Sequence, residues 1–214
     1  MGSERAVSGI DIGGDRKGNH LVILRGTQIL LSLSEIGPEA MLQACIDLDV
    51  VAVGIDAPCK WRTNEAARCA EKLLAQQRIS CFLTPTREHA TSNRSGFYRW
   101  MFNGERMYET FSKHYPVFTK DEKAGERVCF ETFPHAITCA FLGIEVASAK
   151  QKRIQRRLIL ENLGIDTGAL KSIDAIDAAL CALTAKFFLE KQTHAYGDAA
   201  GGFILVPACT GTRL

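Results

Sequence analysis

The chain has 214 residues, enough to bury one full hydrophobic core and short for two, so a single domain is expected. Hydrophobic residues are 46% and charged residues 23%, which argues against a disordered, collagen-like or membrane-embedded chain, and no apolar run approaches the roughly 18 residues that a spanning helix needs. A net charge of +2 excludes nucleic-acid binding through bulk charge and leaves only local basic patches for it.

The first strand is expected at Val7 to Ile12, and its Asp11 is incompatible with the apolar stretch of a secretory signal, so a cytoplasmic protein without a membrane partner is expected. Gly13, Gly14 and Gly18 mark a turn into strands at His20 to Leu24 and Gln28 to Leu33, an antiparallel meander by its short connections. Gly37 and Pro38 open a helix with Met41, Leu42, Cys45 and Ile46 on one face. Val50 to Ile55 is continuously apolar, as in a strand covered on both faces, and ends at Asp56-Ala57-Pro58. A helix is expected from Thr63 to Gln77, and residues 81–126 read as a loop and helical insertion, with Phe97 to Tyr115 helical. A short strand at Val128 to Glu131 precedes helices at about 135–142, 148–163 and 173–191, and Phe203 to Val206 reads as a late edge strand. The pattern is α/β, with a mixed central sheet of about five strands and helices on both faces.

The eight cysteines, Cys45, Cys59, Cys69, Cys81, Cys129, Cys139, Cys181 and Cys209, contain no C-x-x-C pair. They read as buried free thiols in a reducing compartment rather than zinc ligands.

Three acidic features carry the chemistry. Asp11 interrupts an apolar strand and is costly to bury unless a cation or strong donors hold it. Asp56 closes the buried strand, and if the two strands are parallel neighbours both aspartates emerge at one sheet edge, where such a pair repels unless it is neutralised. Asp174 and Asp177 share a helix face three residues apart, followed by small residues that let the helix lie close to the sheet. Asp174 also suits a cap or dipole partner, whereas Asp177 lies a turn inside the helix.

Gly-Ile-Asp at 9–11, Gly-Ile-Asp-Ala-Pro at 54–58, Glu-Thr-Phe-Pro at 131–134 and Asp-Ala-Ile-Asp-Ala-Ala at 174–179 resemble domain of unknown function 429, a group of predicted nucleases with an RNase H-like fold. The last motif also resembles the terminal helix of RuvC-type junction resolvases. The resemblance implies an RNase H-like fold and metal binding by Asp11, Asp56, Asp177 and Asp174, with Glu131 as a further catalytic member. Hard oxygen ligands favour Mg²⁺ or Mn²⁺, and two ions roughly 3.5–4 Å apart could activate water for in-line phosphodiester hydrolysis without an organic cofactor.

Basic residues supply candidate substrate contacts. Arg87 and Arg94 lie on the polar loop of the insertion, while Lys150, Lys152, Arg153 and Arg156 form a denser patch that reads either as a solvated face or as a phosphate rail. Arg99 and Arg106 are interleaved with aromatics, most of which fall at core spacing. Arg68 and Glu71 are placed to pair with each other, and His135 reads as structural rather than as a proton shuttle. The expected function is metal-dependent hydrolysis of nucleic acid of unspecified type, by a monomer or a homodimer. The alternatives are a silent binding or regulatory module and, from Gly9-Ile10-Asp11-Ile12-Gly13-Gly14, an ATP-dependent phosphotransferase of the actin and sugar-kinase superfamily.

Overall fold

The computed structural model describes residues 5–15, 17–63, 66–121 and 126–208. Strands β1 (Ala6–Asp11), β2 (His20–Arg25) and β3 (Gln28–Ser34) form the antiparallel meander. Helix α1 (Pro38–Asp47) starts on its proline and returns the chain to β4 (Val50–Asp56), parallel to β1 with Gly9 opposite Gly54 and Asp11 opposite Asp56. Helices α2 (Cys69–Gln76), α3 (Arg87–Ser92) and α4 (Arg99–Phe111) precede β5 (Val128–Glu131), which pairs parallel to β4. Helices α5 (Pro134–Leu142), α6 (Lys152–Asn162) and α7 (Ile173–Leu189) lead to β6 (Thr193–Asp198) and β7 (Gly202–Pro207).

The sheet order is β3-β2-β1-β4-β5-β7-β6, and its β3-β2-β1-β4-β5 portion, crossed by α7, is the RNase H-like arrangement. The described residues give seven strands rather than about five. The additional strand is β6, whose Thr-His-Ala-Tyr-Gly-Asp sequence lacks an apolar alternation and is half-buried at most of its positions. It makes a hairpin with β7 and takes the sheet edge, so β7 is an interior strand with all six residues buried. The helix expected from Thr63 begins only at Cys69, because Arg68 is extended and its backbone N–H donates to the Glu71 carboxylate at 3.0 Å; residues 64–65 and Cys209 lie outside the described residues. Helix α6 begins at Lys152, after a 3-10 turn at Ala149–Gln151. The seven described cysteines are free thiols. Among the described residues no helix is long and apolar enough to cross a membrane.

The period-two alternation of the strands splits the core into two layers. Val7, Ala52 and Phe130 face α6 and α7, while Ala6, Ile10, Val53 and Ile55 face α1 and α4. Gly9 and Gly54 share the parity of the first set, and both are required there. A Cβ on Gly9 would stand 2.0 Å from the Ala178 carbonyl oxygen, and one on Gly54 would stand 2.5 Å from that of Cys181. The bare strand backbone thus lets α7 lie directly on β1 and β4, with Ala178, Ala179 and Ala182 fully buried beneath it. Two residues further along each strand, the same alternation turns Asp11 and Asp56 toward the start of α7.

Gly9→Ala should therefore push α7 off the sheet. Urea unfolding should register a loss of at least about 1–3 kcal/mol, since backbone rather than a flexible side chain must move. An unchanged midpoint would show that α7 is not seated as tightly as described.

Candidate active site

At the carboxyl end of β1 and β4 the sheet opens into a cleft of about 840 Å³. Asp11, Asp56, Asp174 and Asp177 all line it. Asp11 and Asp56 arrive from paired positions on adjacent strands, and Asp174 and Asp177 arrive from the first turns of α7. Helix α7 is capped by Ser172, whose Oγ accepts the Ala175 N–H at 2.9 Å, so Asp174 is not the cap and its carboxylate is left to face the cleft. The glycine turn after β1 also reaches the cleft through Gly13 and Gly14. The Asn103 side chain of α4 donates to the Gly13 carbonyl at 2.9 Å and steadies that turn.

The four carboxylates differ in what neutralises them. Asp177 is 6% exposed, and both its oxygens accept from Nη1 of the buried Arg156, at 2.6 Å each. The Arg156 Nε is buried without a hydrogen-bond partner. Asp174 pairs with Lys17 at 3.2 Å, a partly exposed contact of small energetic weight. Among the described residues no cationic side chain is bonded to Asp11 or Asp56. Burial, followed by the charges of Asp56, Asp177 and Asp174, holds the Asp11 carboxyl well above the usual carboxylate range against the pull of Lys17. Burial and then the Asp177 charge push Asp56 up to about 7, against the pull of Arg156 and a hydrogen bond with Asp11. Both shifts favour a proton held on the pair. Burial also raises Asp177 despite Arg156.

Glu131 is not brought to this cluster. Phe130 faces α7, so alternation turns the next residue to the opposite face of the sheet, toward α2. There Arg68 spans two carboxylates. Its Nη1 and Nη2 donate to Glu131 at 2.8 and 2.5 Å and its Nε donates to Glu71 at 2.9 Å. The Cys59 N–H adds a bond to Glu131 at 2.9 Å, and the Thr84 N–H one to Glu71 at 3.0 Å. Arg68 and Glu71 do pair, as their spacing predicts, but within a buried triad whose third member the spacing could not reveal. Glu131 is fully engaged as a structural residue, and nothing in its surroundings leaves it free for a metal ion.

The basic candidates also divide. Arg94, Lys152 and Arg156 line the cleft. Arg87 does not, because its guanidinium is held by Glu105 at 2.9 Å in a contact that Trp61 Nε1 shares at 2.7 Å. Lys150 and Arg153 are exposed outside the cleft, on a solvated face. Arg99 of the aromatic segment also lines the cleft, as does Lys17, which was not singled out by sequence. A lysine in the glycine turn directly after Asp11 was the available signal for it. His135 reaches the cleft as well, and burial together with Arg156 lowers its pKa, so it stands neutral there.

Among the described residues no three His, Cys, Asp or Glu side chains are arranged to hold a metal ion. Arg156 is paired with Asp177 and Lys17 with Asp174. What the donor set does fit is one divalent cation against Asp11 and Asp56, two hard-oxygen donors without a bonded cationic side chain among the described residues, since Mg²⁺ commonly takes one or two protein carboxylates and completes its shell with water and phosphate.

The sequence profile of a family described as "Protein of unknown function (DUF429)" matches residues 9–200. No curated protein matches the chain. Among solved structures, the chain is similar to a mutant of the large terminase subunit of bacteriophage Sf6 with calcium, at 9% identity and a TM-score of 0.33, covering 95% of this chain and 78% of that one. It is also similar to the nuclease domain of the same subunit, at 9% identity and TM-score 0.33, covering 96% and 78%. A mutant of that domain with manganese matches at 10% identity and TM-score 0.31, with the same coverage.

The Asp11 and Asp56 pair has a consequence for stability. A carboxyl whose folded pKa is raised binds more protons folded than unfolded between its two values, so the Asp56 contribution to stability falls as pH rises from about 4 through about 7, and Asp11, raised as well, acts in the same direction. Asp56→Asn should remove most of this slope. At pH 8, without divalent cations, it should make the protein more stable than wild type by more than about 1.4 kcal/mol, a tenfold change in the folding equilibrium. Parallel slopes in chemical denaturation at pH 5 and pH 8 would show that the pair is not under repulsion.

Proposed function

The chain belongs to the DUF429 family of proteins of unknown function, and since that description assigns no reaction, we propose from the site itself that it is a divalent-cation-dependent nuclease hydrolysing phosphodiester bonds. The observation that carries the reading is the pair formed by buried Asp11 and half-buried Asp56 at the end of parallel strands, with no cationic side chain bonded to either among the described residues. Carboxyls held this close repel when both are charged, and such arrangements cluster at functional sites, where a ligand relieves the repulsion. Mg²⁺ or Mn²⁺ bound there would supply a Lewis acid and an activated water.

The rest falls to the chain's own side chains. Asp11 and Asp56 would hold the cation once their proton is given up to solvent. Lys152 and Arg94, which line the cleft, would hold backbone phosphates on either side of the bond to be cut. Water attacks phosphorus as the P–O bond to the leaving sugar oxygen breaks; the proton lost by the water passes to solvent and the leaving oxygen takes one up from it. Neutral His135, which lines the cleft, would accept the water's proton on the way. A second cation would need Asp177 to part from Arg156, so the two-ion form of the mechanism requires a rearrangement.

A second reading is favoured by that same pairing. With Asp177 and Asp174 already neutralised, the chain could bind nucleic acid without cutting it. The two readings separate on cation binding. Under the enzymatic reading Mn²⁺ raises the unfolding temperature of the wild type but not of Asp11→Asn, and Asp11→Asn lowers Mn²⁺-dependent cleavage of a mixed oligonucleotide pool on the order of 10²-fold or more. Oligonucleotide binding without any Mn²⁺ shift would favour the silent module.

Arg156→Gln tests the pairing directly. It leaves the buried Asp177 charge without its partner, so a loss of roughly 3–5 kcal/mol is expected in EDTA. Mn²⁺ should restore more stability to this variant than to wild type, because Asp177 becomes available as a third ligand. Equal Mn²⁺ shifts in the two proteins would mean that Asp177 does not contribute to the cation site.

A further inference from the structure

Beside the carboxylate cleft lies a group of aromatic side chains that the hydrolytic reading does not use. Phe97 is 58% exposed and Phe82 43%, and their ring centroids are 5.9 Å apart. Trp100 meets Phe82 edge-on at 5.6 Å, and Tyr98 backs the group at 5.0 Å from Phe97. Phe97 and Trp100 line the same cleft as Asp11 and Asp56. Met107, Tyr108, Phe111 and Tyr115 of the same segment are instead buried against the sheet. The exposed large hydrophobic side chains of the insertion are Phe82, Leu83 and Phe97, and Phe97 is the one of them that lines the carboxylate cleft.

The exposed rings are held rather than loose. Asn93 Oδ1 accepts from the Ser95 N–H and hydroxyl at 3.0 and 2.6 Å, and Ser95 Oγ accepts the Phe97 N–H at 3.2 Å. An ion pair between Arg99 and Asp15 fastens the start of α4 to the glycine turn after β1, fixing the platform relative to Asp11. Fixed aromatic faces lose little freedom when a planar ligand covers them.

We propose that Phe97, Phe82 and Trp100 form a stacking platform for unpaired nucleobases, so that the substrate presented to the carboxylates is a single strand or a locally unpaired segment of nucleic acid. This rests on the nuclease reading for the chemistry but not for the binding. The argument is one of complementarity. Arg94, exposed and without an ion-pair partner among the described residues, stands on the cleft with the rings, and Lys152 lines it from α6. Aromatic faces interleaved with cations match a polymer that alternates bases and phosphates, and a base offers a free face only when it is out of the duplex. An apolar protein partner would have no use for the cations, and an intact duplex would have none for the rings.

The test is equilibrium binding to the full chain in EDTA, where cleavage is silent, using a labelled oligo-dT, an oligo-U of equal length and a hairpin duplex. Both single strands should bind on the order of 10-fold more tightly than the duplex, and the ratio of the dT and U affinities identifies DNA or RNA as the preferred source. Phe97→Ala should weaken single-strand binding on the order of 10-fold and leave duplex binding unchanged, while Phe97→Trp should preserve it. Arg94→Ala should weaken both and lower the salt slope by about one. Phe97 is a surface residue, so an unchanged unfolding temperature should accompany its loss. Equal affinity for single strand and duplex, or a Phe97→Ala protein that binds as wild type does, overturns the proposal. So does a concentration-dependent dimer that Phe97→Ala abolishes without any change in oligonucleotide affinity, which would assign the rings to a second copy of the chain. Mn²⁺ stabilisation of Phe97→Ala distinguishes the two levels: retained with binding lost, it supports platform and cation site independently, and absent from wild type with stacking intact, it removes the nuclease reading and leaves the platform.

Discussion

The direct seating of α7 on β1 and β4 is the constraint on which the site depends. With any side chain at Gly9 or Gly54, the helix would be forced away from the strands by the width of a methyl group, because the nearest atoms are backbone. Seated as it is, α7 delivers Asp174 and Asp177 to the strand ends where Asp11 and Asp56 emerge. Sheet and helix each contribute two carboxylates to the cleft, and the charges of the helix pair raise the pKa values of the strand pair. The fully buried run of small and apolar residues from Ala178 to Ala182 is the other half of the same contact.

Two acidic groups lie near the carboxyl ends of the central strands, and the protein treats them in opposite ways. On one face of the sheet Glu131 and Glu71 share Arg68, with backbone N–H groups completing the bonding, and this triad ties the start of α2 to the end of β5. Buried charges so thoroughly paired are structural. On the other face Arg156 takes up Asp177, but Asp11 and Asp56 are left to one another. The contrast within one sheet gives the second group its meaning. Among the described residues Asp11 has no ion pair comparable with the Arg68 triad and feels Lys17 only as a neighbouring charge, the pattern expected of a site that an exogenous cation would complete.

Much of this was legible in the sequence. The meander, the apolar β4 ending at Asp56, and the small-residue face of α7 each follow from local pattern, and the parallel pairing that makes Asp11 and Asp56 neighbours, a condition in the sequence, is present in the structure. Three things were not. The β6 strand was hidden because Thr193–Asp198 has no alternation of its own and forms only by pairing with β7. Glu131 looked like a partner for the aspartates because its motif ends a strand as theirs do; what excludes it is the parity of β5, and reading that parity needs the register with β4. Lys17 and Arg156, and Arg68 in its contact with Glu131, were unassignable as counter-ions because the residues they meet lie far away in the chain. In general the ligand positions were local information, and their state of neutralisation was not.

The central claim is that Asp11 and Asp56 form a cation site left open in the protein alone. Its most direct test is anomalous diffraction from crystals soaked in Mn²⁺ near pH 8, above the value to which Asp56 is pushed. The account predicts a manganese peak in contact with both carboxylates. It would be contradicted if the two side chains were still bridged to each other with manganese bound only elsewhere, or if a lysine or arginine had moved in to neutralise them.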